Sequence, residues 1–489
     1  MFISAVDSTI VNVALPDISR HLEAGVAQLQ WVIDGFLVSL AGMLLVGSGL
    51  ADHFGRRLVF LWGFAGFAAA SILAALSQNT TELIAARVLT GAAAACVLPP
   101  ALSLVAVMFP PEERPRALGV WVTVAGLGVA VGPVLGGVLV SSLGWRAVFL
   151  VNVPVAVAAV AVGAGALPES RRPGAPPLDL LGVGLSIIAL ASVVFALIEG
   201  GDVGWTSPAV LTTAVVGVLA GVAFVLVELR RREPLFDVAA LARPDVVAGA
   251  AAILAIYISF LGILFLLPQY LHYVRGDSTL VSGLILAPIG LGSLVFTRPS
   301  ARVLAKLGAR LTITGGLVGL AGCIALLLVL RRNTSVVVVL VSMALFGALT
   351  PLTIAPATAV IMDDLGEEKA GDGGAINQLA RQVGGALGVA IMGSVFAGVY
   401  AHRVVNRLVG FSHVARKRAA ESIEQAQKVI AGATPADHAH LLGQIRHSFD
   451  VAARVSFAVA VALLLVAAVV AASLLADPAT RTGKRSGSG

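Results

Sequence analysis

The stretch GLGVAVGPVLGG, Gly126–Gly137, stands in an uncharged run that extends from residue 117 to residue 145. An α-helix needs about 20 apolar residues to cross a bilayer, so this run is long enough to span one. Three of its glycines recur at every fourth position and lie on one helix face, namely Gly128, Gly132 and Gly136. Such a stripe lets a second backbone approach closely, and Pro133 predicts a bend. The stretch therefore predicts a tightly packed membrane helix; the alternative is ordinary helix packing with no special role.

The composition of the whole chain is that of a polytopic membrane protein. Hydrophobic residues make up 58% of the 489 positions and charged residues 12%, against about 25% charged residues in an average soluble protein. The formal net charge is +6, which can indicate nucleic-acid binding. Here, however, the basic residues stand in short clusters between apolar runs, as in loops that set membrane topology. We therefore assign the charge to contacts with membrane lipids at the cytoplasmic surface and predict no nucleic-acid partner.

Sequence signatures of ATP hydrolysis, metal binding and covalent catalysis are missing from the chain. It has no P-loop, no residues at zinc-ligand spacing and no nucleophile elbow. We predict that the protein is not an enzyme and uses no cofactor and no metal. If it moves a solute, the energy must come from an ion gradient or from the solute itself.

Apolar runs between charged residues predict an all-α fold with fourteen membrane helices. Six lie in the first third of the chain, two follow as an inserted pair, and six more come after them. The predicted helices lie near residues 1–16, 31–50, 58–76, 83–108, 117–140, 147–167, 180–198, 209–227, 246–271, 281–297, 311–330, 336–361, 374–400 and 455–475. The predicted units are an N-terminal six-helix bundle (1–168), an inserted pair with flanking loops (169–245) and a C-terminal six-helix bundle (246–489).

The first predicted helix is short, because only 16 residues precede Asp17. A helix of that length barely crosses a bilayer. We therefore expect the native first helix to begin several residues earlier, which N-terminal sequencing of the natural protein would test.

Basic residues are concentrated in alternate short loops, for example at Arg56 and Arg57. Because short cytoplasmic loops carry an excess of Lys and Arg, both termini are predicted to be cytoplasmic. The loop of residues 401–453 is the exception, since it is basic but falls on the predicted outer side. Its segment 421–447 has an amphipathic pattern and predicts a helix at the surface.

An internal repeat links the two halves of the chain. LADHFGRR, Leu50–Arg57, follows the second predicted helix of the first six, and VLAKLGAR, Val303–Arg310, follows the second of the last six. Asp52 and Ala305 occupy equivalent positions, 253 residues apart. Two parallel six-helix units with an inserted pair between them account for this distance.

Several motifs together resemble those of a known transporter family. GxxxGPxxGG, Gly128–Gly137, resembles the fifth-helix antiporter motif of exporters in the major facilitator superfamily, especially the fourteen-helix drug:proton antiporters of EmrB/QacA type. DSTIVNVALP, Asp7–Pro16, resembles that family's first-helix signature, and WRAVFLVNVP, Trp145–Pro154, resembles its sixth-helix entrance. The resemblance covers almost the whole chain. It implies a major facilitator fold in a bacterial cytoplasmic membrane, with a cavity between the six-helix bundles near the midplane.

Two acids in predicted membrane helices are candidate proton carriers, Asp7 in the first and Asp34, of QWVIDGF, in the second. Acids inside a membrane are costly and usually face a cavity or a partner. A partly dehydrated cavity favours the protonated form, so Asp34 can take up a proton near neutral pH and release it elsewhere in the cycle. The alternatives are a structural acid near a helix end for Asp7 and an interfacial acid for Asp34.

RVLTG, Arg87–Gly91, resembles the family's fourth-helix motif, in which an arginine precedes a glycine by four residues. A guanidinium in a cavity holds a nearby carboxylate ionised, and protonation of that acid breaks the pair. We therefore expect Arg87 to be the electrostatic partner of Asp7 and Asp34. The alternative is an arginine that extends to the outer interface. The family's Gln-like position is Thr90 here.

The loop LADHFGRR resembles the superfamily's signature between helices two and three, with Ser48 in place of the usual leading glycine. The matching positions are Asp52, Gly55, Arg56 and Arg57. We expect Asp52 to interact with a neighbouring helix N-terminus, and the arginines to bind carboxylates or lipid phosphates. We expect these contacts to form and break as the bundles rock, and LADHFGRR is called the switch loop below. Because Ala305 replaces the acid in the second copy, this role is assigned to the first copy only.

Two residues of the second half are secondary candidates. Arg381, in ARQVGGALG, lies about two turns into the thirteenth predicted helix and also resembles the family pattern. His272, in LPQYLHYVRG, stands where the family more often has glutamine and can titrate near neutral pH. The alternative for His272 is a structural role at the interface.

The resemblance implies proton-coupled export of lipophilic, in part cationic, drugs or antibiotics by alternating access. Substrate and proton would compete for one charged site, because differential affinity between states drives alternation. Three alternatives stay open: a proton-coupled uptake symporter, an uncoupled facilitator of a small organic solute, and a membrane sensor that transports nothing.

Overall fold

The computed structural model describes residues 2–110, 112–171, 179–231, 238–331, 334–366 and 370–475, and within these ranges the regular structure is helical throughout. The first eight helices are α1 (Phe2–Leu22), α2 (Val26–Phe54), α3 (Arg56–Leu76), α4 (Thr80–Ala95), α5 (Leu98–Met108), α6 (Arg114–Leu143), α7 (Ala147–Leu150) and α8 (Asn152–Ala166). The inserted pair is α9 (Leu180–Asp202) and α10 (Pro208–Arg230). The remaining helices are α11 (Pro244–Tyr270), α12 (Thr279–Thr297), α13 (Ser300–Leu328), α14 (Val336–Leu365), α15 (Ala370–Arg407), α16 (His413–Glu421), α17 (Ile423–Ile430) and α18 (Pro435–Leu474).

Within the described ranges, thirteen segments are long and apolar enough to cross a membrane. One such segment comprises α4 and most of α5, and another comprises α7 and α8. The helix α1 adds a fourteenth, since it has 21 residues and most of them are buried. The predicted fourteen-helix fold is confirmed, and the chain is a multi-pass membrane protein.

The prediction that the first helix stops at Pro16 is wrong. The helix α1 continues through Asp17 to Leu22, and Asp17 pairs with Arg20 at 3.1 Å. A pair of opposite charges within one turn lets a helix continue past an acid, so Asp17 does not mark a boundary.

Two other predicted helices have different bounds. The predicted helix 83–108 is broken after Ala95, because Pro99 and Pro100 lack an N–H and fit only the first turn of a new helix, α5. The predicted surface helix 421–447 is divided between α17 and the first turns of α18, which begins at Pro435.

The two bundles meet along three helix pairs: α6 packs on α12, α2 on α15, and α1 on α11. The inserted helix α9 packs on both α2 and α15, whereas α10 packs mainly on α9. The side of α10 that faces away from α9 exposes large aliphatic side chains such as Leu219, which is 62% exposed. The inserted pair therefore lies beside the contact between α2 and α15.

The internal repeat is visible in the backbone. Gly55, between α2 and α3, has a φ of +118°, and Gly308, which interrupts α13, has a φ of +75°. These glycines are 253 residues apart, the same separation as Asp52 and Ala305. Only glycine adopts such angles at little cost, so both copies of the loop place a glycine where the chain turns.

The short helices α16 and α17, called the cap helices below, cover one end of the bundle, called the cap end. Lys428 of α17 pairs with Glu23 of the α1–α2 loop at 2.6 Å, and Tyr273 donates a hydrogen bond to Glu424. The cap helices thus join the N-terminal bundle to the C-terminal bundle. Across the same end, Thr279 donates to Asp17 at 3.4 Å. The cap end is closed, and by the charge rule it is the predicted outer end.

Candidate functional site

The glycine stripe of α6 faces α1, inside the N-terminal bundle. A Cβ built on Gly128 would lie 2.8 Å from Ala5 Cβ, and one built on Gly136 would lie 2.9 Å from the Ile10 carbonyl oxygen. A Cβ on Gly132 would lie still closer to Thr9 Oγ1. The predicted close approach of a second backbone is therefore present, and its partner is the helix that carries Asp7. The helix α6 continues through Pro133 to Leu143.

A second face of α6 meets α12 of the C-terminal bundle. A Cβ on Gly137 would lie 2.8 Å from Leu280 Cα, and one on Gly126 would lie 2.9 Å from Leu294 Cδ2. The glycines Gly283 and Gly290 of α12 lie against the α6 backbone at Pro133 and Ala130. The antiporter-motif helix therefore joins the two bundles through small residues on both sides.

The structure brings Asp7 and Arg87 together in the interior of the N-terminal bundle. Arg87 Nη1 donates to Asp7 Oδ2 at 2.8 Å, and the side chains are 1% and 0% exposed. Breaking a buried ion pair by removing one partner typically costs about 3–5 kcal/mol, because the other charge is left uncompensated. An arginine that extends to the outer interface does not fit the burial of Arg87.

The Arg87 guanidinium is held on all sides by the N-terminal bundle. Its Nε donates to the Val32 carbonyl oxygen of α2 at 3.0 Å. The Phe36 ring of α2 lies 4.6 Å from the guanidinium carbon, and the Phe149 ring of α7 lies at 5.8 Å. Cation–π contacts in a desolvated site add to the hydrogen bonds, so this arginine is fixed in one position.

The second oxygen of the Asp7 carboxylate is bound by Asn152, the first residue of α8. Asn152 Nδ2 donates to Asp7 Oδ1 at 2.9 Å and lies 3.5 Å from Ser71 Oγ. Asn152 is 1% exposed. With Arg87 on the other oxygen, both oxygens of Asp7 accept hydrogen bonds.

Asp34 occupies a different environment. It is fully buried, and neither of its oxygens has a hydrogen-bond partner in the described part of the chain. Arg87 is thus joined to Asp7 and not to Asp34. An isolated buried carboxylate is very costly, so the lack of a partner among the described residues distinguishes Asp34 from Asp7.

One turn before Asp34, Gln30 crosses from α2 to α15. Its Nε2 donates to the carbonyl oxygens of Val389 and Ala390 at 3.1 and 3.2 Å. Gly393 leaves the space for this side chain, since a Cβ there would lie 2.5 Å from Gln30 Cδ. Residues four apart share a helix face. Asp34 is therefore placed on the face of α2 that meets the C-terminal bundle.

The switch loop is organised by an acid that the sequence analysis did not single out, Glu169. Its carboxylate accepts from the backbone N–H groups of Arg57 and Leu58 at 3.2 Å, at the start of α3. Asp52 instead pairs with Arg56 at 3.1 Å. The expected carboxylate contact with a helix N-terminus is present, but Glu169 makes it.

Gly55 is required in this loop for two reasons. Its φ of +118° is unfavourable for other residues, and an added Cβ would overlap the Glu169 carboxylate. Arg57 Nη2 donates to the Ala164 carbonyl oxygen near the end of α8. The loop therefore binds α3 to the segment that follows α8.

Arg381 lies in a polar group of the C-terminal bundle. Its Nε donates to Asn377 Oδ1 at 2.8 Å, and its Nη1 donates to the Tyr257 hydroxyl at 3.2 Å. Asn377 in turn donates to Thr358 of α14. The group joins α11, α14 and α15, and it is separate from the Asp7–Arg87 pair.

His272 is at the cap end, beside a cavity of about 480 Å³ under the cap helices. Arg20 Nη2 lies 3.5 Å from its Nε2, and its Nδ1 lies 3.2 Å from the Asp277 carbonyl oxygen. Glu424 lines the same cavity, and burial raises its pKa to about 7, although Arg20 and Lys428 oppose the rise. His272 is therefore remote from Asp7 and Asp34 and belongs to the contact between cap and bundle.

Among the described residues, no three His, Cys, Asp or Glu side chains cluster as metal ligands would. The functional-site residues that sequence reasoning missed are neutral or lie in loops: Asn152, Gln30, Tyr257, Asn377 and Glu169. The motif WRAVFLVNVP already contained Asn152 and Phe149, so their presence in a family motif was the available signal.

The fold and the buried charges define a class, a two-bundle membrane transporter with an inserted helix pair. Residues 1–389 match the sequence pattern of the Major Facilitator Superfamily, and the chain belongs to that family. It is 35% identical to the tetracenomycin C resistance and export protein of Streptomyces glaucescens, over 96% of this chain and 88% of that protein. It is 37% identical to the puromycin resistance protein of Streptomyces alboniger, over 81% and 79%.

Solved structures agree on the fold. A bacterial homologue of the human lysosomal transporter Spinster, in an inward-facing and occupied conformation, matches with a TM-score of 0.66 at 16% identity. The match covers 98% of this chain and 96% of that one.

Proposed function

We propose that the protein exports lipophilic drugs or antibiotics across a bacterial cytoplasmic membrane by proton-coupled antiport. Two related proteins are named for resistance to tetracenomycin C and puromycin, and this chain is similar to the first over 96% of its length. The observation that carries the proposal is Asp34, a fully buried acid on the face of α2 that meets α15, with no hydrogen-bond partner among the residues that the structure describes. In the proposed topology the cap end lies at the outer face of the membrane, and both termini lie in the cytoplasm.

Coupling between proton and substrate follows from the protonation state of Asp34 that the contact between α2 and α15 can bury. An ionised Asp34 cannot be buried there without a partner, so the cap end closes around the empty carrier only when Asp34 has taken a proton from outside. Asp34 then releases this proton to the cytoplasmic side, where a cationic substrate binds the deprotonated, inward-facing site, and an outside proton later displaces the substrate. Proton and substrate thereby compete for one site, and their differential affinity for the two arrangements drives the exchange.

The remaining site residues serve this alternation in different ways. Arg87 is bound to Asp7 and to the α2 backbone at Val32, two residues before Asp34, so it fixes α2 within the N-terminal bundle. We propose that the unit 1–168 then rocks as one body against the unit 246–489 about the contact between α6 and α12. The contacts of Asp52 with Arg56 and of Arg57 with the Ala164 carbonyl oxygen lie inside this unit, so the switch loop holds the unit together as it rocks.

The test is transport in proteoliposomes with an imposed pH gradient, using ethidium and puromycin as probes. Export against the probe gradient, driven by the pH gradient and abolished by Asp34→Asn, is expected. Probe transport that does not depend on the pH gradient would establish a facilitator. Probe movement in the same direction as the protons would establish a symporter. No movement of either probe, together with no binding of either, would contradict export of this substrate class.

A further inference from the structure

Asn152 is the first residue of α8, just after the interruption between α7 and α8. Trp145, the first residue of the motif WRAVFLVNVP, is 2% exposed, and the Arg146 guanidinium stacks over its ring at 4.4 Å. Arg146 Nη2 also donates to the Ser77 carbonyl oxygen at 3.0 Å. The turn α7 packs on α1 and α6. These contacts fix the start of α8, so the Asn152 amide is held against Asp7 from a rigid position.

We propose that Asn152 is a positioning residue that binds Oδ1 of Asp7 and thereby directs Oδ2 toward Arg87. Each carboxylate oxygen of Asp7 accepts from a different donor: Oδ1 accepts from the Asn152 amide at 2.9 Å, and Oδ2 accepts from the Arg87 guanidinium at 2.8 Å. This inference deepens the proposed function, on which its transport readout rests.

Donor chemistry distinguishes Asn152 from a residue that only fills space. The charged group that faces Asp7 is Arg87 from α4, while Ser71 of α3 and Asn152 of α8 are neutral. A guanidinium alone would attract the carboxylate but leave Oδ1 buried without a donor. A buried acceptor without a donor favours protonation of the acid. Asn152 supplies that donor at no change in net charge.

The experiment is a pH titration of the intact protein in lipid nanodiscs by difference infrared spectroscopy. The carboxylic acid band of Asp7 is identified by its loss in Asp7→Asn. The titration proceeds downward in pH until that band reaches full height. The variants are Asn152→Leu, which removes the donor, and Asn152→Asp, which keeps the shape and replaces the donor by a second acid. Ser71→Ala is the matched control, because it removes only the 3.5 Å contact.

The expected result is that Asn152→Leu raises the midpoint of Asp7 protonation by about one pH unit, a tenfold gain in proton affinity. Asn152→Asp should raise it at least as far, since two carboxyl groups in one site share a proton. Ser71→Ala should leave it within about 0.2 pH unit of the intact protein, well below the shift expected for a lost charge-assisted hydrogen bond. If Asn152→Leu does not fold, the isosteric Asn152→Asp decides.

A midpoint unchanged in both Asn152 variants would overturn the proposal, and so would an equal shift in Ser71→Ala. In proteoliposomes, Asn152→Leu should lose ethidium export at the pH at which its Asp7 becomes protonated, because protonation breaks the pair with Arg87 that fixes α2. If the intact protein shows no gradient-driven export, the proposed function fails, whereas the infrared midpoint still decides the role of Asn152.

Discussion

Replacing Gly137 by alanine should force apart the two bundles where α6 meets α12. The added Cβ would lie 2.8 Å from Leu280 Cα and 3.0 Å from the Thr279 carbonyl oxygen. Carbon atoms in contact normally lie about 3.5–4.0 Å apart, so the helices must separate by roughly 1 Å. Both obstacles are backbone atoms and cannot rotate away. Overpacking of this kind costs about 1–3 kcal/mol, and each 1.4 kcal/mol is about a tenfold change in an equilibrium.

The matched control is Gly315→Ala in α13, where an added Cβ meets nothing within 4 Å. A second comparison is Gly128→Ala, which crowds α1 inside the N-terminal bundle, 2.8 Å from Ala5 Cβ. Both Gly128→Ala and Gly137→Ala should lower the thermal unfolding temperature relative to Gly315→Ala. Only Gly137→Ala should also reduce the population with a closed cap end, because only its contact joins the two bundles.

Spin labels at Gln78 and Arg331, introduced as cysteines after Cys96 and Cys323 are replaced by alanine, report on closure. These exposed positions lie on the N-terminal and C-terminal bundles at the cap end. Electron paramagnetic resonance should show a smaller fraction of the short distance in Gly137→Ala. If Gly137→Ala matches Gly315→Ala in both distance distribution and unfolding temperature, the close contact between α6 and α12 does not control closure and the reasoning is refuted.

Arg87→Met alone should lower the free energy of unfolding by about 3–5 kcal/mol, because it leaves the Asp7 charge buried. Denaturation of Arg87→Met with and without Asp7→Asn tests this prediction, and the double variant should recover part of the loss. Gly393→Ala should expel the Gln30 side chain from α15 and weaken closure of the cap end. Gln30→Ala together with Gly393→Ala should cost little more than Gln30→Ala alone, and closure equal to that of the intact protein in all three variants would contradict the contact. The contribution of Glu424 to docking of the cap helices should be largest below about pH 4.5 and should be lost as pH rises through about 7, because burial raises the pKa of Glu424 from 4.5 to about 7. The protection of the backbone amides of residues 413–430 against hydrogen exchange, relative to the unfolded chain at the same pH, should therefore fall at high pH. An equal loss of protection in Glu424→Gln would show that another group is responsible.

The sequence was sufficient for the helix number, the repeat and the close packing of α6, because each depends on local composition. A long apolar run predicts a span whatever it contacts, and glycines four apart predict a close approach without naming the neighbour. Helix ends were less predictable, because Asp17 is neutralised by Arg20 within its own helix. The start of α18 at Pro435 likewise lies outside the apolar run.

The site was predictable only in its charged members. Asp7 and Arg87 attract notice because charges are rare in membrane helices, but their pairing depends on packing between α1 and α4. Asn152 and Gln30 are neutral, and their roles depend on partners 145 and about 360 residues away. Glu169 lies in a loop where a carboxylate is unremarkable, so only the fold shows that it binds the start of α3.

The central claim is that proton and substrate compete at Asp34, and proton release from the purified protein tests it most directly. Ethidium or puromycin is added to the protein in a weakly buffered solution containing a pH indicator, and binding is followed separately. Release of protons on binding is expected from the intact protein. Asp34→Asn should release none, even at probe concentrations that saturate it. Saturable binding to the intact protein without proton release, or undiminished release from Asp34→Asn, would contradict the account.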